Sequence, residues 1–382
     1  MGVSIWEGAK AQALIDAINN IGNRQYANSA ANIVKAIRNG NVENVANGAM
    51  FIEEHEYFGE VAFVVRRKNV DKLFEDAEAP TVTIQPKFLL SQNGGTTAKT
   101  LQFDRPEAFC YVEEAIAAGT VCKFTLDTTY SNWTAGTYYF TATAAIPAGS
   151  LLCIQSNAST ALTSNKVAVY SSAIATSASA TYAISTSGTA TKDLGTWAIH
   201  PQRVSYGSNN WGDSNARQFL NGVGLMSSIF TPSHDLDMLS TGMANLNGFL
   251  GGFSEEFQSY LGLAKVHNIT NNVFEEDGYT VNSEYYTADK FWLPSRKEIY
   301  GSQENANEAS EVQLPYYANV GTTDADKLMY AKGATSPTTW WLRTPTASSA
   351  NGVRRSHATS GGALYNGDAN YSHGFAPLAI LA

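Results

Sequence analysis

The sequence predicts an α+β protein with a short helical N-terminal segment, a block of strands, a β-sandwich module and a mixed, loop-rich C-terminal region. Three observations carry this. Apolar residues recur at helical spacing near the N-terminus, the period changes to two from Ala46, and residues 101–195 shift to short Thr-, Ala-, Ser- and Tyr-rich strands separated by turns.

The helical part begins with Ser4 and Glu7 at capping-box spacing, followed by Ala11, Leu14, Ile15, Ile18 and Ile21. A second amphipathic helix carries Ala30, Ile33, Val34 and Ile37 and stops near Gly40. Such narrow apolar faces bury little alone, so the two helices either pack on the next domain or associate between chains; association is preferred, which makes residues 1–45 an oligomerisation or attachment segment. Within 46–100, "EVAFVVRRKNVDKLF" and "TVTIQPKFLL" read as strands, and Asn93-Gly94-Gly95 marks a turn. Within 101–195, "CKFTLDTTY", "GTYYFTATA", "SLLCIQS" and "KVAVYSS" are spaced as in a small sandwich, and 171–191 supplies loops or edge strands. From Thr196 onward short helices are expected. Asp213 or Ser214 caps one through Ala216, Phe219 and Leu220, and "EEFQSYLGLAKV" forms another with Phe257, Tyr260, Leu261 and Leu263 apolar.

Composition narrows the function. A net charge of -9 without a basic stripe argues against a nucleic-acid partner. No apolar run spans a bilayer and the start lacks a signal peptide, so neither membrane insertion nor signal-directed export is expected. Cys110, Cys122 and Cys153 have no metal-ligand spacing and read as inert thiols. Nucleophile-elbow, Walker and zincin motifs are lacking, and "GVGLMS" at 222–227 is not a dinucleotide fingerprint. His55 among Glu53, Glu54, Glu56 and Glu60 reads as part of a solvated charge cluster, and Asp235 and Asp237, which follow His234, read as loop or cap residues. No catalytic residue, metal ligand or cofactor is assigned, and the protein is not expected to be an enzyme.

The C-terminal segment carries the positive signal. "WWLRTP" and "GFAPLAILA" read as strands, with Trp340, Trp341, Leu342, Arg343, Phe375 and Pro377 as scaffold. Pro377 should stand at a strand start or edge, where a missing amide costs nothing. Between them lie Ser348, Ser349, Asn351, Arg355, Ser356, His357, Thr359, Tyr365, Asn366, Asp368, Asn370, Tyr371 and His373. Tyr supplies rigid amphipathic area, Ser and Asn adaptable hydrogen bonds and Arg an anchor, which is the composition of a binding loop. Residues 346–374 also lack Lys, Glu, Gln, Met and Trp, where about four would be expected. These five cannot be reached from an Asn codon by changing its first two bases, so adenine-directed mutagenesis of Asn codons would leave this pattern.

"YGSNNWGDSNARQFLNG" (206–222), "GFLGGFSEEFQSYLG" (248–262), "DKFWLPSRKEIYG" (289–301) and the terminal "WWLRTP" to "GFAPLAIL" run resemble the C-type-lectin-fold domains of variable proteins diversified by retroelements. Such domains occur in tail-tip receptor-binding proteins of phages, the major tropism determinant among them, and in related gut phage proteins. The resemblance implies a C-terminal C-type-lectin fold, like that of formylglycine-generating enzymes, over 196–382, with a variable region at about 340–382. It implies that 46–100 contributes early strands to that fold and that the sandwich is inserted or precedes it. Formylglycine-generating enzymes use reactive cysteines, and all three cysteines here lie in the sandwich stretch, so that activity is not carried over. The implied function is host-receptor binding at a phage tail tip. The implied assembly is a homotrimer on a virion, produced in the bacterial cytoplasm, contacting other tail proteins through its N-terminal segment and a bacterial surface protein or glycan through its loops. A non-diversified adhesive or structural protein of the same fold, and a glycan-active enzyme, are the alternative readings.

Overall fold

A computed structural model of the chain describes residues 29–103, 109–126, 129, 132–155, 160–171, 178–197, 209–226, 247–270, 284–304, 306–347, 352–369 and 371–382. The helix expected from Ser4 to Ile21 and residues 234–237 lie outside the described residues. What is described is mixed α+β, mostly sheet with few helices. The longest helix described, α1 (Ala30–Arg38), has nine residues.

The Ser29 hydroxyl caps α1 by accepting from the Asn32 amide at 3.2 Å, and Gly40, at φ +71°, lets the chain turn away after Asn39. Ala30, Ile33, Val34 and Ile37 face inward and join the main core. This corrects the expectation for the second helix. Its apolar face is consumed within its own chain, against the element at 255–260 and the last strand, and is not free for association. That expectation now concerns residues 1–28 alone.

Strands β1 (Met50–His55), β2 (Gly59–Lys68) and β3 (Val82–Pro86) form an antiparallel run, with β2 and β3 bulged between Val65 and Arg67. The β2 strand ends one residue before Asn69, whose φ of 56° breaks the extended path. His55 departs from the solvated cluster expected of it. It is buried, stacks 5.1 Å from Phe249, bonds the Phe249 carbonyl through Nε2 at 3.0 Å, and accepts from the Tyr57 amide at Nδ1. Strand alternation explains this, because it sends His55 inward while Glu54 stays outside. Burial pushes the His55 imidazole down to about 4.

Strands β4 (Phe109–Tyr111), β5 (Val121–Leu126), β6 (Gly136–Thr141), β7 (Leu151–Gln155), β8 (Lys166–Tyr170), β9 (Ala180–Ala183) and β10 (Lys192–Trp197) build two sheets in the orders β4-β7-β8-β9 and β10-β5-β6. Their inward faces close a second core around Phe124, Trp133, Phe140, Tyr182 and Trp197. Leu101 and Phe103 belong to the main core and Trp197 to this one, so the module is shifted at both ends from the expected 101–195. Burial raises the Cys110 and Cys122 thiols to about 11, which keeps them protonated and unreactive at neutral pH.

The chain then adds α2 (Asn215–Asn221), α3 (Glu255–Tyr260), β11 (Leu261–Gly262), β12 (Ala264–Ile269), β13 (Glu284–Asp289), β14 (Phe291–Trp292), α4 (Arg296–Tyr300), α5 (Pro315–Asn319), β15 (Trp340–Pro345), β16 (Gly352–His357), β17 (Ala363–Asp368) and β18 (Leu378–Leu381). Ser214, one of the two caps considered, caps α2 by accepting from the Arg217 amide. The helix expected over "EEFQSYLGLAKV" stops at Tyr260. Leu261 instead pairs with Leu381, and 264–269 forms β12, because sheet pairing satisfies this backbone in place of a second helical turn. The last strand, β18, lies centrally, between β3 on one side and β11 and β14 on the other. Pro377 immediately precedes it, so no ladder hydrogen bond is lost.

Charged side chains tie these layers together below the surface. Arg67 of β2 contacts both Asp71 and Glu298, and Arg343 of β15 contacts Glu298 at 2.5 Å and Glu311 at 2.9 Å. Both arginines are nearly fully buried. Glu298 also closes a capping box on α4, accepting from the Ser295 amide at 2.7 Å while the Ser295 hydroxyl accepts from the Glu298 amide. Burial opposes ionisation of Glu298, but the Arg343 and Arg67 charges overcome it and hold the carboxyl below its ordinary range. Glu298→Ala strips both arginines of a shared counter-charge and should cost roughly 3–5 kcal/mol in urea denaturation, with Glu298→Gln costing less because it keeps the capping acceptor.

Candidate ligand-binding face

Every residue of β15 is buried. The Trp340 indole donates to the Lys327 carbonyl at 2.9 Å and the Trp341 indole to the Leu101 carbonyl at 2.8 Å, so both rings enter the core with their polar edges satisfied. The expected alternation across this strand is interrupted, because its pairing with β16 shifts register between Trp341 and Pro345 and packing closes over both sides. Gly374 fastens the returning chain beside β15. Its carbonyl accepts from Trp341 and its amide donates to Thr339. Leu342, Arg343, Phe375 and Pro377 are buried around this clasp.

From that base, β16 and β17 form a hairpin with Arg355 opposite Tyr365 and His357 opposite Ala363. Gly361 and Gly362 make the reversal at φ +66° and +86°. A Cβ on Gly362 would stand 2.0 Å from the Asp324 carbonyl oxygen, so space and conformation both demand glycine there.

Cross-strand register places Arg355, His357 and Tyr365 on one face of the hairpin. The His357 and Tyr365 rings lie 4.9 Å apart. Arg355 stretches toward His373, donating from Nη1 to Nε2, with its guanidinium carbon 5.7 Å from the Tyr371 ring. Gly367 provides the room, since a Cβ there would fall 3.0 Å from the guanidinium. His373 in turn lies 4.5 Å from Trp341, so the surface cluster is seated on the core tryptophan. Burial, then the Arg355 charge, pushes the His373 imidazole down to about 3; it is neutral and able to accept. Burial raises the Asp368 carboxyl above its ordinary value, and the neighbouring Asp368 charge raises the Tyr371 phenol.

The predicted binding residues therefore divide. Thr359, Tyr365, Asn366 and Tyr371 are exposed, although Asn366, paired with Arg354, takes the opposite face of the hairpin, and Arg355, His357, Asp368 and His373 are half-buried. Ser356 is a correction. It points to the opposite face, 1% exposed, donating to the carbonyls of Lys327 and Gly362, because its strand neighbours Arg355 and His357 take the outer side. Ser348, Ser349, Asn351 and Asn370 lie outside the described residues. Sequence reading missed Glu304, which holds Arg354 at 2.6 and 2.7 Å, Arg296 at 2.5 Å and the Ala347 amide, anchoring the start of the hairpin from the back. Nothing local marks Glu304 within "GSQENANEAS" as different from a solvated acid. Gly367 was also missed, although a glycine within a strand is itself a signal of close approach.

A mixed α+β body with an aromatic, arginine-bearing hairpin face defines the class of this protein. Residues 170–382, more than half of the chain, match the family described as a domain of unknown function (DUF6273), and the chain belongs to that family. The match begins at the last residue of β8 and includes the whole hairpin face. No curated protein and no solved structure matches the chain.

Gly362→Ala should lower stability by roughly 2 kcal/mol or more in chemical denaturation, from a left-handed conformation and a backbone clash together. His373 adds an acid-side dependence. Its folded value of about 3 lies below the unfolded 6.5, so its contribution is complete above pH 6.5 and is lost as pH falls toward 3. Thermal melts between pH of about 7 and about 4 should therefore show a shallower decline for His373→Gln than for the parent protein.

Proposed function

We propose that this is a ligand-recognition protein of C-type-lectin type, binding a bacterial surface protein or glycan without chemistry through the β16–β17 face, as a phage tail-tip protein does. The observation that carries the reading is the division within one hairpin. Arg355, His357, Tyr365 and Tyr371 crowd one accessible face, while the strand that supports them is buried along its whole length. Such a base tolerates exchange of the outer side chains, since exposed substitutions cost little stability. The sequence pattern of 346–374, reachable from Asn codons, supports diversification of that face. The pairing of β18 with β3 supports a lectin-like fold in which early and late strands share a sheet. Asp368 is the single carboxylate of 346–382, which favours binding over a glycosidase with paired acids. Trimeric display, through residues 1–28 or otherwise, would raise a weak affinity per site by effective concentration.

One observation favours a fixed adhesive surface instead. Arg355, His373, Tyr371 and Gly367 fit one another, and free exchange at any one would disturb the others. A reverse-transcriptase gene and an Asn-rich template copy of the 346–374 coding sequence beside this gene would favour diversification over that reading. The triple substitution of His357, Tyr365 and Tyr371 by Ala should abolish binding of the purified protein to intact gut bacteria while the melting temperature stays within a few degrees. Unchanged binding would refute the assignment of this face.

A further inference from the structure

A second concave site lies elsewhere on the main body. A cleft of about 650 Å³ opens between β2, the chain after β3 and α5, a size that suits a small organic ligand. None of its lining residues belongs to the β16–β17 hairpin. Its rim is apolar and accessible, with Met50 48%, Tyr316 40% and Val320 70% exposed.

Two cations face this cleft. The Arg66 guanidinium carbon lies 5.3 Å from the Tyr316 ring centre and 5.8 Å from that of Tyr317. Arg66 Nε donates to Gln85 Oε1 at 2.9 Å, and Gln85, fully buried, donates from Nε2 to the Ala376 carbonyl at 3.1 Å. A buried glutamine thus spends its acceptor on aligning a half-exposed guanidinium, and the terminal nitrogens of Arg66 have no carboxylate within ion-pair distance among the described residues. Lys87 likewise lacks an acidic partner there and lies 5.4 Å from the Phe88 ring. The one acid on the lining among the described residues, Asp326, is engaged by the Thr323 amide at 2.9 Å and the Thr323 hydroxyl at 2.5 Å. In a chain with 34 acids against 25 Lys and Arg, two cations without carboxylates at one apolar cleft imply that the counter-charge comes from a ligand.

We propose that this cleft binds a carboxylate carried on a ring, with Arg66 and Lys87 taking the carboxylate and Tyr316, Met50 and Val320 covering the ring face. A uronic acid and an aromatic acid share this chemistry. The experiment is titration calorimetry of the full chain with glucuronate and with benzoate, each beside its neutral counterpart, methyl glucoside and benzyl alcohol. At least one acid should bind at least about tenfold more tightly than its neutral counterpart, and which one binds names the source. Arg66→Gln and Lys87→Gln should each weaken binding about tenfold, and Tyr316→Ala severalfold. Among the described residues Lys87 has no side-chain hydrogen-bond partner to lose, so its variant remains informative if Arg66→Gln misfolds. The His357, Tyr365 and Tyr371 triple variant should bind the acid as the parent does, which separates this site from the hairpin face. The proposal is overturned if neither acid is preferred over its neutral counterpart, if Lys87→Gln in a folded protein binds unchanged, or if light scattering shows that a second copy of the chain fills the cleft.

Discussion

Two arginines taken out of water must keep their carboxylates, and much of this structure follows from that requirement. Arg67 reaches Glu298 from β2 and Arg343 reaches it from β15, while Glu298 itself caps α4. Three segments far apart in sequence are held in one relative position, because moving any of them would leave a buried charge unpaired. The cluster extends outward through Glu311 to His267, whose other ring nitrogen meets Glu284. Its contribution is better understood as specificity than as net stabilisation, since apolar groups of equal volume would pack there at less desolvation cost.

The hairpin face inherits its position from this arrangement. Arg343 fixes β15, the two indoles of β15 bond carbonyls on separate neighbouring segments, and Gly374 clasps the returning chain. Arg355 then lies across Gly367 to a neutral His373 seated on Trp341. A half-buried guanidinium that donates to a neutral ring is not neutralised by that contact, as it would be in an ion pair with a carboxylate. Behind the sheet, Glu304 does use Arg354 in such a pair, and there the purpose is anchorage. Adjacent arginines of one strand thus serve opposite ends, decided by which face each takes.

Individual elements were legible wherever a local rule acts alone. The second helix ends just before Gly40, Ser214 caps its helix, and β5 to β8 fall on the segments whose composition announced them. Local rules failed where distant packing competed. The apolar run after Tyr260 has helical spacing, yet Leu261 is taken by Leu381 in the central sheet. His55 sits in an acidic stretch and is nevertheless a core residue, because strand alternation and the Phe249 ring claim it. Ser356 belongs by composition to the binding residues, and by register to the interior.

By itself the sequence determined the β-rich mixed class, the change of composition that sets the module apart, and the concentration of Tyr, His, Asn and Arg between two apolar strands near the C-terminus. These depend on spacing and composition, which are local properties of the chain. The tertiary structure alone decided that β18 enters the middle of a sheet begun at Met50, that Glu298 serves two arginines, and which hairpin residues look outward. Each of these is a contact between residues separated by tens to hundreds of positions, and no local period encodes which distant partner a strand edge or a buried charge will meet.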